Sequence, residues 1–340
     1  MHPQFLDILR CPESGEKLTL DVHKWGPKGM VLTGTLSTPQ GVSYPIVRGI
    51  PRFVDAQGDA SSFGYEWRRW PRVQFESENV GKPMSGHTTR MWEVITGVAD
   101  TQVDGRTIVE VGCGPGRFLD VVRSKGGRAV GIDMSVAVES ARHNFIGHPD
   151  VLIAQADLSK PPFIAGAFDG GFSIGALHHT DNPLVGLKAL ALSIKPGGWL
   201  ACCVYPKGGF YDFPSVARYR NIFRRLMPVC GYTLPLGYAY ASAYLLAPFL
   251  KKMMGWSRLA RLIEHIERRY VVVLHLPDVR WRVLDTFDAV TPRIATTHTF
   301  QEVRNWMEQA GCVGVRQTAW CGTSLSARVS CCDERVHLLA

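Results

Sequence analysis

The sequence contains no tandem repeat and no low-complexity tract, which sets aside repeat arrays and broadly disordered chains. It also lacks a disulfide framework. Nine cysteines are an odd number, and the adjacent pairs Cys202–Cys203 and Cys331–Cys332 are poor material for stapling a fold. No cationic stretch followed by a short apolar run precedes the first structured segment, so a reducing cytoplasm is the expected location. There is no dense Lys/Arg tract and no RNA-module signature. A nucleic-acid partner is therefore not expected, even though 38 Lys plus Arg against 30 Asp plus Glu leave a formal charge of +8. Charge itself is missing from Leu226 to Leu250, a stretch flanked by Arg224-Arg225 and Lys251-Lys252. Its length alone would suit a membrane span. However, Pro228, Gly231, Pro235, Gly237 and Pro248 interrupt it, and Tyr232, Tyr238, Tyr240 and Tyr244 are many for lipid-facing positions. A buried or interfacial segment is favoured over a span.

What is present suffices for a large core. With 340 residues, 46% of them apolar, the chain can hold one large α/β domain with a smaller unit attached. Residues 1–54 read as that small unit, with strand-like stretches at Lys17–Val22 and Met30–Leu36. Asp55–Gly64 is rich in Ser, Ala, Gly and Asp and reads as a linker, opening a linker and lid segment over 55–85. From residue 86 helices and strands alternate. Helices are predicted at Met91–Val98, Phe118–Lys125, Val136–Asn144 and Leu184–Ile194. Strands are predicted at Thr107–Gly112, Ala129–Asp133, Val151–Ala156, Phe168–Ile174 and Gly198–Tyr205. Near-continuous apolar strands in that rhythm imply an α/β fold with a parallel sheet covered on both faces. Residues 206–296 break the rhythm and form an insertion after the fifth strand. The core resumes over 297–330, with a helix at Phe300–Ala310 and strands at Val313–Trp320 and Ser324–Val329 joined by a turn at Cys321-Gly-Thr. That late hairpin requires at least one antiparallel strand. Residues 331–340 are a tail.

The most informative stretch is Thr107-Ile-Val-Glu-Val-Gly-Cys-Gly-Pro-Gly-Arg-Phe118. A buried strand runs into Gly112, Gly114 and Gly116, and a helix follows. Glycine is needed where φ is positive or a ligand touches the backbone. The loop lies at the carboxyl end of a strand and before a helix N-terminus, the usual ligand crevice of open α/β sheets. A dinucleotide fingerprint would require Gly or Ala at position 117, where Arg117 stands, so a smaller nucleoside ligand is indicated. Glu110 can receive the amino group of an amino-acid tail. Asp133, about 20 residues after the loop, suits ribose hydroxyls, with a helix cap as its alternative. Asp157 suits an adenine amino group, with a loop-capping role as its alternative.

The ordered set Glu110-Val-Gly-Cys-Gly-Pro-Gly116, Gly131-Ile-Asp133, Gln155-Ala-Asp157, Phe168-Asp169 with Ala176-Leu-His-His179, and Lys195-Pro-Gly-Gly198 resembles the motifs of class I S-adenosylmethionine (SAM)-dependent methyltransferases, of the small-molecule type. The likeness covers 86–205 and resumes at 299–330. It implies a Rossmann-like seven-stranded, mostly parallel sheet with a reversed last strand, and SAM as cofactor. It also implies that the glycine loop holds the methionine part, Asp133 the ribose and Asp157 the adenine. Met134 and Leu158, beside those acids, and Ile174, Gly175 and Leu177 after the fourth strand would flank the cofactor. The N-terminal pattern Leu9-Arg-Cys-Pro, Tyr44-Pro-Ile, Gly49-Ile-Pro is similar to short zinc-ribbon-like proteins that accompany some tRNA and protein methyltransferases. Zinc-binding members carry two Cys pairs. Here Ser14 replaces the second Cys of the first pair and no Cys occurs between residues 12 and 112, so no metal is expected.

Methyl transfer is an in-line displacement that needs alignment, and a base only where the acceptor must lose a proton. His179 and His178, after the fourth strand, are the candidate bases, and each has a structural alternative as partner of a loop carbonyl. Tyr65, Trp67, Tyr205, Asp285, Asp288 and Arg293 are candidates for the acceptor site. The insertion sets the acceptor. Its uncharged aromatic stretch would make a greasy pocket or a membrane-facing lid, and the basic helix Arg218–Met227 can lie on anionic lipid or serve as an internal cap. A small, apolar or secondary-metabolite acceptor is expected, and peripheral membrane contact through 218–250 is open. An RNA (tRNA) methyltransferase and a non-catalytic scaffold are the alternatives. The oligomeric state has no signature.

Overall fold

A computed structural model describes residues 1–54, 61–255, 257–320 and 323–330. Period-two alternation builds the first unit. Strands β1 (Thr19–Trp25), β2 (Val31–Ser37), β3 (Ser43–Val47) and β4 (Ile50–Pro51) form an antiparallel sheet in that order. Val31, Leu36, Tyr44 and Ile46 fall on one buried face. That face does not make a separate core. Met1, Phe5, Leu9, Leu36 and Ile46 share one apolar cluster with Val109, Leu152 and Leu187 of the main sheet. The Phe53 N–H donates to the Gln155 carbonyl at 2.8 Å, so the unit lies along the edge strand Val151–Gln155 of the main sheet and covers that edge.

The main sheet contains β5 (Thr107–Val111), β6 (Arg128–Asp133), β7 (Val151–Gln155), β8 (Phe168–Ile174), β9 (Ile194–Val204), β10 (Cys312–Gln317) and β11 (Thr323–Val329). Their spatial order is β10-β11-β9-β8-β5-β6-β7. Strands β5 to β9 pair in parallel, and β11 runs antiparallel to both β9 and β10. The fold is a Rossmann-like seven-stranded, mostly parallel sheet with a reversed last strand. The order reverses between β5 and β8, which opens the ligand crevice at their carboxyl ends.

Helices α1 (Ser61–Arg69), α2 (His87–Thr96), α3 (Arg117–Ser124), α4 (Ala137–Asn144) and α5 (Pro183–Ser193) precede the insertion. The insertion is helical: α6 (Pro214–Cys230), α7 (Thr233–Ala241), a π-helical turn at Ser242–Leu246, α8 (Ala247–Met254), α9 (Ser257–Arg269) and α10 (Val279–Val290). Then α11 (Phe300–Gln309) returns the chain to the sheet. The expected linker at Asp55–Gly64 needs correction. Residues 55–60 lie outside the described residues, but Ser61–Gly64 begin α1. Gly64 serves close packing rather than slack, because a Cβ there would stand 2.4 Å from Val136 Cγ2. The tail 331–340 and residues 321–322 of the expected turn also lie outside the described residues.

The uncharged segment Leu226–Leu250 is divided among α6, α7, the π turn and α8. Pro235, Ala239, Ala243, Ala247 and Leu250 face inward, while Val229, Leu245 and Phe249 are exposed. Among the described residues no helix is long and apolar enough to cross a membrane.

Candidate functional site

Strand β5 ends at Val111 and delivers three glycines in the left-handed region, with φ of +77° at Gly112, +50° at Gly114 and +89° at Gly116. Side chains are excluded there sterically as well. A Cβ on Gly112 would stand 2.1 Å from the Ala176 Cβ, and one on Gly116 would stand 2.5 Å from the Phe145 ring. The loop is tied to β6. The N–H groups of Gly112 and Cys113 both donate to the Ile132 carbonyl, and the Gly114 N–H donates to Asp133 Oδ2 at 2.9 Å.

Asp133 is thus already engaged. Its Oδ1 accepts from the Ser135 N–H at 2.8 Å and the Ser135 hydroxyl at 2.7 Å. Burial pushes its pKa up while these three hydrogen bonds pull it down. Oδ1 is filled by the two Ser135 bonds, but Oδ2 accepts only from Gly114 and retains a second lone pair, so a capping role and reception of a ribose hydroxyl are compatible. Asp157 Oδ1 accepts from the Ser159 N–H at 2.8 Å. Met134 is exposed beside Asp133, Leu158 is half-buried against Gly186, Ile174 is buried, and Gly175 is exposed with open space around its Cα.

Glu110 differs from these acids. It is buried and its Oε2 has no hydrogen-bond partner. Burial raises its pKa well above the carboxylate range, against the opposing pull of Arg117. A buried acceptor without a donor is costly, and a ligand ammonium would satisfy it.

A second group of acids also acts on Arg117. Glu66 on α1 is fully buried, and neither carboxylate oxygen has a partner. Burial raises its pKa well above normal, and Asp288 and Asp285 on α10 add to the effect. Asp285 accepts from Gln74 Nε2 at 3.3 Å, and burial plus Asp288 push its pKa up to about 7. Asp288 Oδ2 accepts from the Tyr205 hydroxyl at 2.8 Å, and Tyr205 stacks on Tyr211. The charges of Asp285, Glu110, Asp288 and Glu66 all act on Arg117 and favour its charged form. Burial lowers its pKa, but a guanidinium stays charged.

Aromatic residues enclose the remaining sides. Trp67 lies against Gly114: a Cβ there would stand 3.1 Å from the indole Nε1. Tyr65 stacks on Tyr232 at 4.5 Å between ring centroids and also meets Phe287. Phe63 lies 4.8 Å from the His179 ring. His179 Nδ1 lies 2.7 Å from the Ile294 carbonyl oxygen, which fixes the proton on Nδ1 and leaves a lone pair on Nε2. Burial lowers its pKa, so the ring is neutral at pH 7. His178 is fully buried, packed on Tyr205, with neither ring nitrogen hydrogen-bonded. Burial lowers its pKa strongly.

Residues 109–202 match the family described as Methyltransferase domain. The chain carries a methyltransferase domain. Two curated relatives illustrate its surroundings. Over 110 residues it is 32% identical to the ubiquinone biosynthesis O-methyltransferase of Paracidovorax citrulli, covering 31% of this chain and 45% of that protein. Over 140 residues it is 29% identical to the tRNA U34 carboxymethyltransferase of Methylococcus capsulatus, covering 40% of this chain and 42% of that protein. The chain thus spans less than half the length of either relative. A solved SAM-dependent methyltransferase of Aquifex aeolicus is 16% identical, covering 78% of this chain and 98% of that one, with a TM-score of 0.41.

Within this domain, the expected residues Glu110, Gly112, Gly114, Gly116, Asp133 and Asp157 gather at the carboxyl ends of β5, β6 and β7. His179, Tyr205, Asp285, Asp288, Tyr65 and Trp67 gather on the facing side. Arg293 is different. It is exposed, on the loop whose next residue, Ile294, holds His179, and the charges that act on Asp285 are Asp288 and Arg117. Glu66, Arg117, Gln74, Phe63 and Tyr211 were not expected. Glu66 lies between the candidates Tyr65 and Trp67, and Arg117 enters the sequence reading only as the residue that breaks a dinucleotide fingerprint.

Proposed function

We propose that the protein is a SAM-dependent methyltransferase acting on a small acceptor with an apolar frame. The observation that carries this reading is the seating of Trp67 against Gly114, which joins a cluster of aromatic side chains to the glycine loop. Glu110, Asp133 and Asp157 would hold the cofactor: Glu110 its ammonium, Asp133 its ribose, Asp157 its adenine amino group. The donor set fits, since Glu110 Oε2 is buried without a partner. When bound, SAM supplies an electrophilic methyl carbon on a sulfonium.

The chain's own residues do the rest. Tyr65, Trp67 and Phe63 exclude water and position the acceptor ring or chain. The neutral His179, its Nδ1 proton fixed by Ile294, offers Nε2 to take a proton from an acceptor hydroxyl. Asp288 fixes the Tyr205 hydroxyl, and Asp285 and Glu66 receive polar hydrogens of the acceptor. The ubiquinone relative named above favours this class of acceptor, and the tRNA relative favours RNA as the second reading.

The test is incubation with methyl-labelled SAM in the presence of a metabolite extract or total RNA. Label in an organic-soluble small molecule supports the first reading. Label confined to RNA supports the second, and label in neither overturns both.

A further inference from the structure

The formal charge of the whole chain resides in one segment. Residues 213–263 hold eight Lys and Arg and no Asp or Glu, so the remaining residues carry 30 of each sign. The +8 belongs entirely to α6, α7, the π turn, α8 and the start of α9.

Most of the exposed large apolar side chains of the insertion lie on the same elements. The backbone stays helical through Ala241, Ser242, Leu246 and Ala247, so α7, the π turn and α8 form one continuous helix. Its outer face presents Leu234, Tyr240, Tyr244, Leu245 and Phe249, with Leu245 at 69% and Phe249 at 59% exposure. Val229, at the end of α6, is 89% exposed, and Leu226 and Ile222 precede it on the same helix. Exposed cations flank these residues: Arg224 and Arg225 on α6, Lys251 and Lys252 on α8. The inner faces are used differently. Val216 and Phe223 pack inward, and Arg220 donates to the Ala289 and Ala295 carbonyls.

A soluble surface gains nothing from exposing Leu245, Phe249 and Val229 together. An anionic bilayer rewards both parts of the pattern. Apolar side chains enter the acyl boundary while Lys and Arg meet the headgroups. RNA would use the cations but not the leucines and phenylalanine.

We propose that the outer face of α6–α8 docks on an anionic lipid bilayer. The helices behind that face pack on the aromatic cluster, since Tyr232 stacks on Tyr65, so docking sets that cluster beside the lipid.

The purified full chain is sedimented with vesicles of phosphatidylcholine alone or mixed with phosphatidylglycerol, at low and high salt. Binding to the mixed vesicles is expected, with little to phosphatidylcholine. High salt, Arg224→Glu with Arg225→Glu, and Leu245→Asp with Phe249→Asp should each weaken it about tenfold or more. All substituted positions are exposed, and unchanged thermal melting of each variant establishes that the fold is intact. The proposal is overturned by no anionic-vesicle binding, by equal binding of the Leu245/Phe249 variant, or by salt-sensitive retention on RNA without vesicle binding. A concentration-dependent dimer abolished by Leu245→Asp, with no vesicle binding, would assign the face to a second copy instead.

Discussion

His179 donates its Nδ1 proton to the carbonyl oxygen of Ile294 across 2.7 Å, and this one bond decides which nitrogen can act as a base. Ile294 belongs to the loop after α10, so the insertion sets the tautomer of a residue in the methyltransferase domain.

His179→Gln should lower kcat by roughly 100- to 10,000-fold on a hydroxyl acceptor, with KM changed much less. Burial holds the histidine pKa below its ordinary 6.5. The base form is therefore present at pH 7, and kcat/KM should fall only as pH drops below that range. His178→Asn should leave the pH profile in place. An unchanged profile in His179→Gln would remove the base role.

Glu110→Gln should weaken S-adenosylhomocysteine binding by about 10- to 100-fold, because a charge-assisted hydrogen bond becomes a neutral one. Unliganded stability at pH 8 should not fall, since the carboxylate has an oxygen without a partner in the free protein. Calorimetric titration and thermal melting separate the two effects.

The Asp285 carboxyl should make the protein less stable as pH rises. Its pKa in the fold is about 7, against an ordinary 3.8. A raised pKa means that the stabilising contribution is complete below pH ~4 and is lost as pH rises through ~7. Asp285→Asn should match the wild type at acid pH and exceed it at pH 8 by roughly 1–3 kcal/mol, a few degrees in Tm. Gln74 keeps an acceptor in that variant. Parallel melting curves across pH would contradict this.

Gly112→Ala should destabilise the fold by about 1–3 kcal/mol and abolish cofactor binding. The new methyl would meet Ala176 at 2.1 Å on a backbone at φ +77°. Gly81→Ala shares the positive φ but has open space around it, and should cost less.

These contrasts show what could be read from the sequence. The glycine loop was legible because positive φ, a preceding apolar strand and a following helix are all local requirements. So were Asp133, which ends β6, and Asp157, two residues beyond the end of β7. Strand boundaries were less so: β9 begins at Ile194, because Lys195-Pro-Gly-Gly198 reads as a turn yet continues the strand. Ser61–Gly64 reads as a linker by composition, whereas the burial of Gly64 depends on Val136 at the start of α4, over 70 residues away. Glu66 was hidden for the same reason. An acid in a short helix reads as a solvated side chain, and only the packing of α1 on α4 and α10 makes it a buried, unpaired carboxylate under the influence of Asp285 and Asp288. Arg117 is acted on by Glu110 and by those acids at once, a relation no local pattern encodes.

The central claim is that the loop Ile108–Phe118 takes SAM. Isothermal titration of the full chain with S-adenosylhomocysteine, and separately with NAD, tests it most directly. One equivalent of S-adenosylhomocysteine should bind, Asp133→Ala should weaken it by about tenfold or more, and NAD should give no heat. A folded chain that binds NAD, or that ignores S-adenosylhomocysteine, would contradict the account.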